Sequence, residues 1–273
     1  ADRSAPAHRH PIVRAATSIT AALAAAAVLG SCTPAPLRSV VEEDVAPAGF
    51  PAASYRAAAA RGARVFAIDP SRSLVTIRVL RGGSLARLGH DHVIAIRDLR
   101  GYLDEDGDRA DLYARLDRMT VDEPELRREA HFDTQPKHDD IAGTRINMLT
   151  RVLHATEHPF VVVAVQGASP VTVERGKSRA TTGVEPVRED LAQVTITLNG
   201  VARSIPVEMT RHERGVEFEA TGHFTVDQTW FGVRPMSLLG GAITVEDRLD
   251  LDFDIRAYRL VSSVAAAANK ARD

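Results

Sequence analysis

From Leu249 to Arg256 every second residue is apolar. Leu249, Leu251, Phe253 and Ile255 alternate with Asp250, Asp252, Asp254 and Arg256. Only an extended strand sends successive side chains to opposite faces, so this segment predicts a strand with one dry and one wet face. Val194, Ile196 and Leu198 repeat the pattern against Thr195 and Thr197, and Asn199-Gly200 then supplies a strong short hairpin signal. The return strand carries Ile205, Val207 and Met209, with Pro206 marking a strand edge or bulge. Further strands are expected over 64–68, 74–79, 92–103, 111–121, 160–165 and 216–226, with a turn at 104–108. The chain therefore reads as all-β with one or two short helices, about eight or nine antiparallel strands in a barrel or sandwich.

Two stretches break the two-residue period. Ile141, Arg145, Met148, Leu149, Val152 and Leu153 fall near helical spacing, so a helix is expected over 140–153, closed by Pro159. A shorter helix is expected over 123–130, with Pro124 in its first turn. Residues 168–190 read as a long polar hairpin loop without an assigned function.

The N-terminal third has another character. Arg3, Arg9 and Arg14 precede an Ala-rich apolar run that ends at Leu29-Gly30-Ser31-Cys32. A basic start, a short apolar middle and small residues at the cut describe a secretory signal, here of lipoprotein type, over residues 1–31. The sole cysteine, Cys32, is then the lipidation site and the membrane anchor. Thr33 in place of Asp favours the outer membrane, so the expected location is the periplasm, on a lipid anchor. Residues 32–62, with Pro34, Pro36, Pro47 and Pro51, read as an Ala/Pro-rich tether in which Ala57–Ala60 favour a short helix. Residues 63–260 form the folded domain, and 261–273 an Ala-rich tail. One cysteine permits no internal disulfide. A formal charge of −2 gives no footprint for nucleic acid. Past the signal no apolar run reaches the roughly 20 residues of a membrane-spanning helix. An outer-membrane barrel would need aromatic girdles, and a chain with one Trp has none. The residues leave a homodimer open.

Enzyme signatures are missing. There is no Gly-x-Ser-x-Gly elbow, no His-Glu-x-x-His helix and no phosphate-cradling glycine loop. Asp139-Asp140 stands where a helix starts and complements its dipole. His90 and His92, two apart on an expected strand, point to one side and can share a metal, with Asp91 facing away. A complete site requires at least one more ligand from His131, His138, His154, His158, His223 or a carboxylate.

Several segments, in order, resemble the YceI-like family of periplasmic, lipocalin-like proteins that bind polyisoprenoid lipids. They are Phe66-Ala67-Ile68-Asp69-Pro70 with Ser73-Leu74-Val75, then Asn147-Met148-Leu149 with His158-Pro159-Phe160. Leu198-Asn199-Gly200-Val201 with Ile205-Pro206-Val207 follows, and Phe231-Gly232-Val233 leads to Gly240-Gly241 and Val245-Glu246-Asp247. The departures are Gly89-His90-Asp91-His92 and the loop near residue 180. The resemblance implies a closed eight-stranded antiparallel barrel around an elongated apolar cavity. The bottom-up reading agrees on a small barrel but does not tell a filled core from a hollow one.

In such a barrel Val75, Ile77 and Val79, or the residues that alternate with them, are expected to line the cavity with Ile94, Ile96, Leu112, Leu116, Val162, Val194, Ile196, Leu251 and Phe253, and Trp230 and Phe231 are expected at its mouth. Arg145, Asn147, His90 and His92 are expected to meet a polar head. The function expected is that of a lipid-anchored protein that sequesters or carries an isoprenoid or quinone-like lipid, with no other cofactor. The second reading is a metal-binding protein or metal-dependent hydrolase using His90 and His92.

Overall fold

The computed structural model describes residues 45–170 and 188–260. The segment expected to be a signal, Cys32, residues 33–44, most of the expected 168–190 loop and the expected tail lie outside the described residues.

The chain opens with helix α1 (Ala52–Ala60) and continues through β1 (Val65–Ile68), β2 (Leu74–Gly82), β3 (His92–Ile96), β4 (Arg100–Asp104), β5 (Arg109–Arg115) and β6 (Thr120–Val121). Helices α2 (Pro124–Glu129) and α3 (His138–Asn147) follow. Strands β7 (Phe160–Pro170), β8 (Arg188–Leu198), β9 (Val201–Arg214), β10 (Glu217–Asp227), β11 (Ser237–Leu238) and β12 (Ile243–Arg259) complete it.

Apart from β11, these segments make eight staves of one closed antiparallel barrel. β1 and β2 lie end to end along the same edge of β12, with Ile68 opposite Ala257 and Leu74 opposite Asp254. The chain bulges out between them. Ser73, buried, fills the gap by accepting the Arg256 amide at 3.0 Å and donating to the Arg256 carbonyl at 3.2 Å. β3 and β4 form the next broken stave, pairing with β2 and β1. β5 and β6 form the third, interrupted by a tight turn at Leu116–Arg118. The strands expected over 92–103 and 111–121 are thus each two strands. A stave that bends around a small barrel gives up its ladder at the corner, which alternation alone does not reveal. The pairing of β1 with β12 closes the sheet on itself.

The remaining staves follow in chain order, and the hairpin at Asn199-Gly200 is as expected. Both residues take positive φ, 52° and 73°, the conformation a two-residue turn between right-twisted strands requires. Pro206 sits opposite Gln193 in the half of β9 that lacks a β10 partner, since that pairing runs only between Met209 and Arg214. Its missing amide therefore breaks no ladder. On β12 the wet face points outward as expected. Asp252 pairs with Arg78 and His223, and Asp254 with Arg256.

The helical segment expected over 140–153 starts earlier and changes character. α3 runs from His138 to Asn147, and Met148–Val152 continue as a wide π turn. Asp140 accepts the Lys137 amide at the helix start. α2 begins at Pro124, close to the expectation.

Outside the barrel, Tyr55, Ala58 and Ala59 of α1 bury against Val65, with Tyr102 beside them. The Tyr55 hydroxyl donates to Asp111 at 2.6 Å. Burial and this acidic partner push the Tyr55 hydroxyl far above its ordinary pKa. The stretch read as a tether to residue 62 is therefore, in its last part, a packed element. Its small residues let a helix lie close to the sheet. Among the described residues no helix is long and apolar enough to cross a membrane.

Candidate ligand cavity

The inward faces of the staves do not meet. They enclose a cavity of about 350 Å³, inside the range of small-molecule sites. The barrel is hollow, a point that periodicity left open. Val75, Ile77 and Val79 of β2, Ile94 and Ile96 of β3, and Leu112 of β5 line it, as does Leu116 just beyond β5. So do Val194 and Ile196 of β8, Leu251 and Phe253 of β12, Phe231 and Asn147. Each of these was expected there.

Val162 is not at the cavity. Val161, Val163 and Val165 line it, so Val162 lies on the other face of β7. β7 is apolar on both faces from Phe160 to Val165, and its alternation carries no phase. Pairing sets the phase: Val163 lies opposite Ile196, whereas Val162 lies opposite Thr197. Arg145 is also turned away. Its guanidinium donates to the Met119 and Asp117 carbonyls and ties α3 to the segment before β6. Trp230 is 39% exposed and does not reach the cavity, while its neighbour Phe231 is buried in the wall.

Of the two histidines, only His92 lines the cavity. β3 begins at His92, so the strand alternation that was to align the pair does not extend to His90. The two rings stand edge to face, 6.3 Å between centroids. Among the described residues no three His, Cys, Asp or Glu side chains come together as a metal site, so the third ligand the metal reading requires is not supplied.

What surrounds His92 is a buried ionic network that the sequence did not suggest. His92 Nδ1 lies 2.6 Å from Asp122 Oδ2. The other oxygen, Oδ1, accepts the Val93 amide at 3.0 Å and the Arg127 guanidinium at 2.6 Å. The Asp122 side chain is fully buried and that of Arg127 nearly so. Burial opposes ionisation of Asp122, but the hydrogen bonds from His92, Val93 and Arg127 outweigh it. The carboxyl is held below the ordinary aspartate range. Asp122 itself has φ 58° at the end of β6, a conformation that Asp tolerates better than most residues. On the far side of the imidazole, Nε2 faces Thr144 Oγ1 at 3.5 Å. Thr144, Asn147 and Met148 lie three and four residues apart, on one face of α3, and all line the cavity. That spacing could have brought Thr144 forward from sequence; nothing local marks Asp122 or Arg127.

The opposite end of the barrel is charged. Arg211 donates to Asp190 at 2.7 Å and to Glu105 at 3.2 Å, and Arg109 lies 3.6 Å from Asp104. Burial opposes the charge on Arg211, yet its acidic partners raise its pKa further. Register separates the two ends. His92 pairs with Val79 and Val79 with Leu249, whereas Arg109 pairs with Asp104 and Asp104 with Val65.

No family model matches this sequence, and no curated protein does. Solved structures with a low similarity to this chain were found. A polyisoprenoid binding domain from Saccharophagus degradans has a TM-score of 0.48 at 10% identity, covering 71% of this chain and 98% of that one. BcnA of Burkholderia cenocepacia has a TM-score of 0.45 at 11% identity, covering 69% and 98%. The barrel is similar to YceI barrels. A mutant YceI protein of Campylobacter jejuni has a TM-score of 0.37 at 10% identity, covering 59% of this chain and 81% of that chain.

Proposed function

We propose that this protein is a YceI-like lipid-binding barrel that holds one isoprenoid or quinone-like chain in its cavity. The observation that carries the reading is the hollow of about 350 Å³, walled by Val, Ile, Leu and Phe side chains, with polar groups at its two ends. Water gains little in such a space, and an apolar chain entering it gains about 0.8 kcal/mol per buried CH₂. A closed barrel has no sheet edge to lose when it opens to a ligand, so the wall keeps its hydrogen bonds. The order of sequence segments that resembles the YceI-like family supports the same reading.

The location belongs to the proposal too. Residues 1–31 act as a lipoprotein signal, Cys32 carries the lipid, and the barrel works in the periplasm from the outer membrane. The sequence Leu29-Gly30-Ser31-Cys32 supports this.

Native mass spectrometry of protein produced in a bacterial periplasm, with lipid extraction of the same sample, tests the ligand. An apolar chain of defined mass is expected to co-purify. Protein that arrives empty and never shields a fluorescent prenyl probe from water would overturn the reading. Metabolic labelling with a fatty-acid analogue tests the anchor: wild type takes up label, Cys32→Ala does not, and an unlabelled wild type would refute lipidation.

A further inference from the structure

We infer that the His92 end of the cavity is a head-group site for a neutral, hydroxylated lipid, whose hydroxyl donates a hydrogen bond to His92 Nε2. The inference rests on the lipid-binding reading and adds the chemical class of the head.

The argument starts at Asp122. Its carboxylate can only accept hydrogen bonds, and at 2.6 Å it accepts one from His92 Nδ1–H. A neutral imidazole with hydrogen on Nδ1 presents a lone pair at Nε2. Asp122 is itself fixed by the Val93 amide and Arg127, so the ring cannot easily turn to present its other nitrogen. Nε2 is therefore a preorganised acceptor in a cavity wall that is otherwise mostly hydrocarbon.

Among the described residues its one hydrogen-bond contact is weak. Thr144 Oγ1 stands 3.5 Å away, longer than a normal hydrogen bond from a hydroxyl. A ligand hydroxyl can take that place, with Thr144 and Asn147 beside it to satisfy its oxygen. A bare hydrocarbon end would leave Nε2 desolvated and poorly paired.

Charge argues against an anionic head here. Arg127 is occupied by Asp122 and by the Asp91 and Thr134 carbonyls, and Arg145 by the Met119 and Asp117 carbonyls. Gln228 spends its amide on the Glu246 carbonyl at 2.7 Å. Arg109 and Arg211 line the cavity at its other end, each beside an acidic partner. A phosphate or carboxylate near His92 would be buried close to the Asp122 carboxylate, and among the described residues the Arg127 guanidinium beside it has only its buried Nε–H without a partner.

The test compares three probes of one prenyl chain length: geranylgeraniol, its monophosphate and the hydrocarbon without a head. Each displaces a fluorescent apolar reporter from the full-length protein. Wild type is expected to bind the alcohol about tenfold more tightly than the hydrocarbon, the effect of one buried hydrogen bond. The monophosphate is expected to bind more weakly than the alcohol. His92→Phe should abolish the preference for the alcohol over the hydrocarbon. If that variant fails to fold, the ¹⁵N shift of His92 Nε2 in wild type decides, moving with the alcohol and not with the hydrocarbon. Equal binding of alcohol and hydrocarbon, or tighter binding of the monophosphate, overturns the inference and leaves the lipid reading standing. No binding by any probe overturns the lipid reading, and this inference with it.

Discussion

Gly222 and Phe253 face each other across the β10–β12 ladder, and the phenyl ring lies over the glycine. A Cβ on Gly222 would sit 2.6 Å from Phe253 Cζ and 2.8 Å from the Glu208 carbonyl oxygen. The missing side chain is what lets the ring lie flat along the wall, where it leans on Phe224 at 6.1 Å. Gly222→Ala should destabilise the fold by roughly 1–3 kcal/mol, because the ring can move but the carbonyl cannot. Urea unfolding reads this as a lower midpoint. An unchanged midpoint would show that the wall yields freely.

The register of β7 gives a paired test. Val163 faces the cavity and Val162 does not. Val163→Trp should fill part of the hollow and weaken prenyl-lipid binding by about tenfold, the loss of about two buried methylenes' worth of contact. Val162→Trp should leave binding unchanged. The opposite ranking in a probe-displacement titration would place the other face of β7 inside.

Removing the carboxylate of Asp122 strands a guanidinium. Arg127 would keep its carbonyl partners but lose its counter-charge in a buried site. Asp122→Ala should cost about 3–5 kcal/mol, the usual penalty for breaking a buried pair from one side. Chemical denaturation of the variant against wild type measures it, and a loss below about 1 kcal/mol would mean that water reaches Arg127.

Acid should expose the same group. The folded Asp122 carboxyl titrates below its ordinary value, so its ionised form contributes stability. That contribution is complete above the unfolded aspartate pKa of about 3.9 and is lost as pH falls through the depressed folded value. Wild type should therefore lose stability below about pH 4 more steeply than Asp122→Asn, which has no such proton to take up. Parallel curves for the two proteins would deny Asp122 this role.

Legibility in the sequence followed the polarity of the outward face. β12 could be phased because Asp250, Asp252 and Asp254 cannot face a dry interior, and Leu251 and Phe253 were placed correctly. β7 could not, because Val162 and Val163 are chemically the same and only their partners differ. The helix face carrying Asn147 was legible, and Thr144 lay on it unnoticed. His92 stood out as a histidine and was read both as a head-group contact and as half of a metal pair, but the third ligand of that pair is not supplied among the described residues. Its partner Asp122 reaches it only through the β3–β6 pairing.

The sequence by itself determined the strands, the Asn199-Gly200 turn and the side of most staves that turns inward. These are local matters, settled by dihedral preference and by which side chains water will accept. Only the tertiary structure decided that the barrel closes through β1 and β12, that its interior is hollow, and that His92, Asp122, Arg127 and Thr144 meet. The reason is physical. Closure, cavity volume and a buried charge network depend on distances between residues remote in the chain, and those distances exist only once all eight staves are in register.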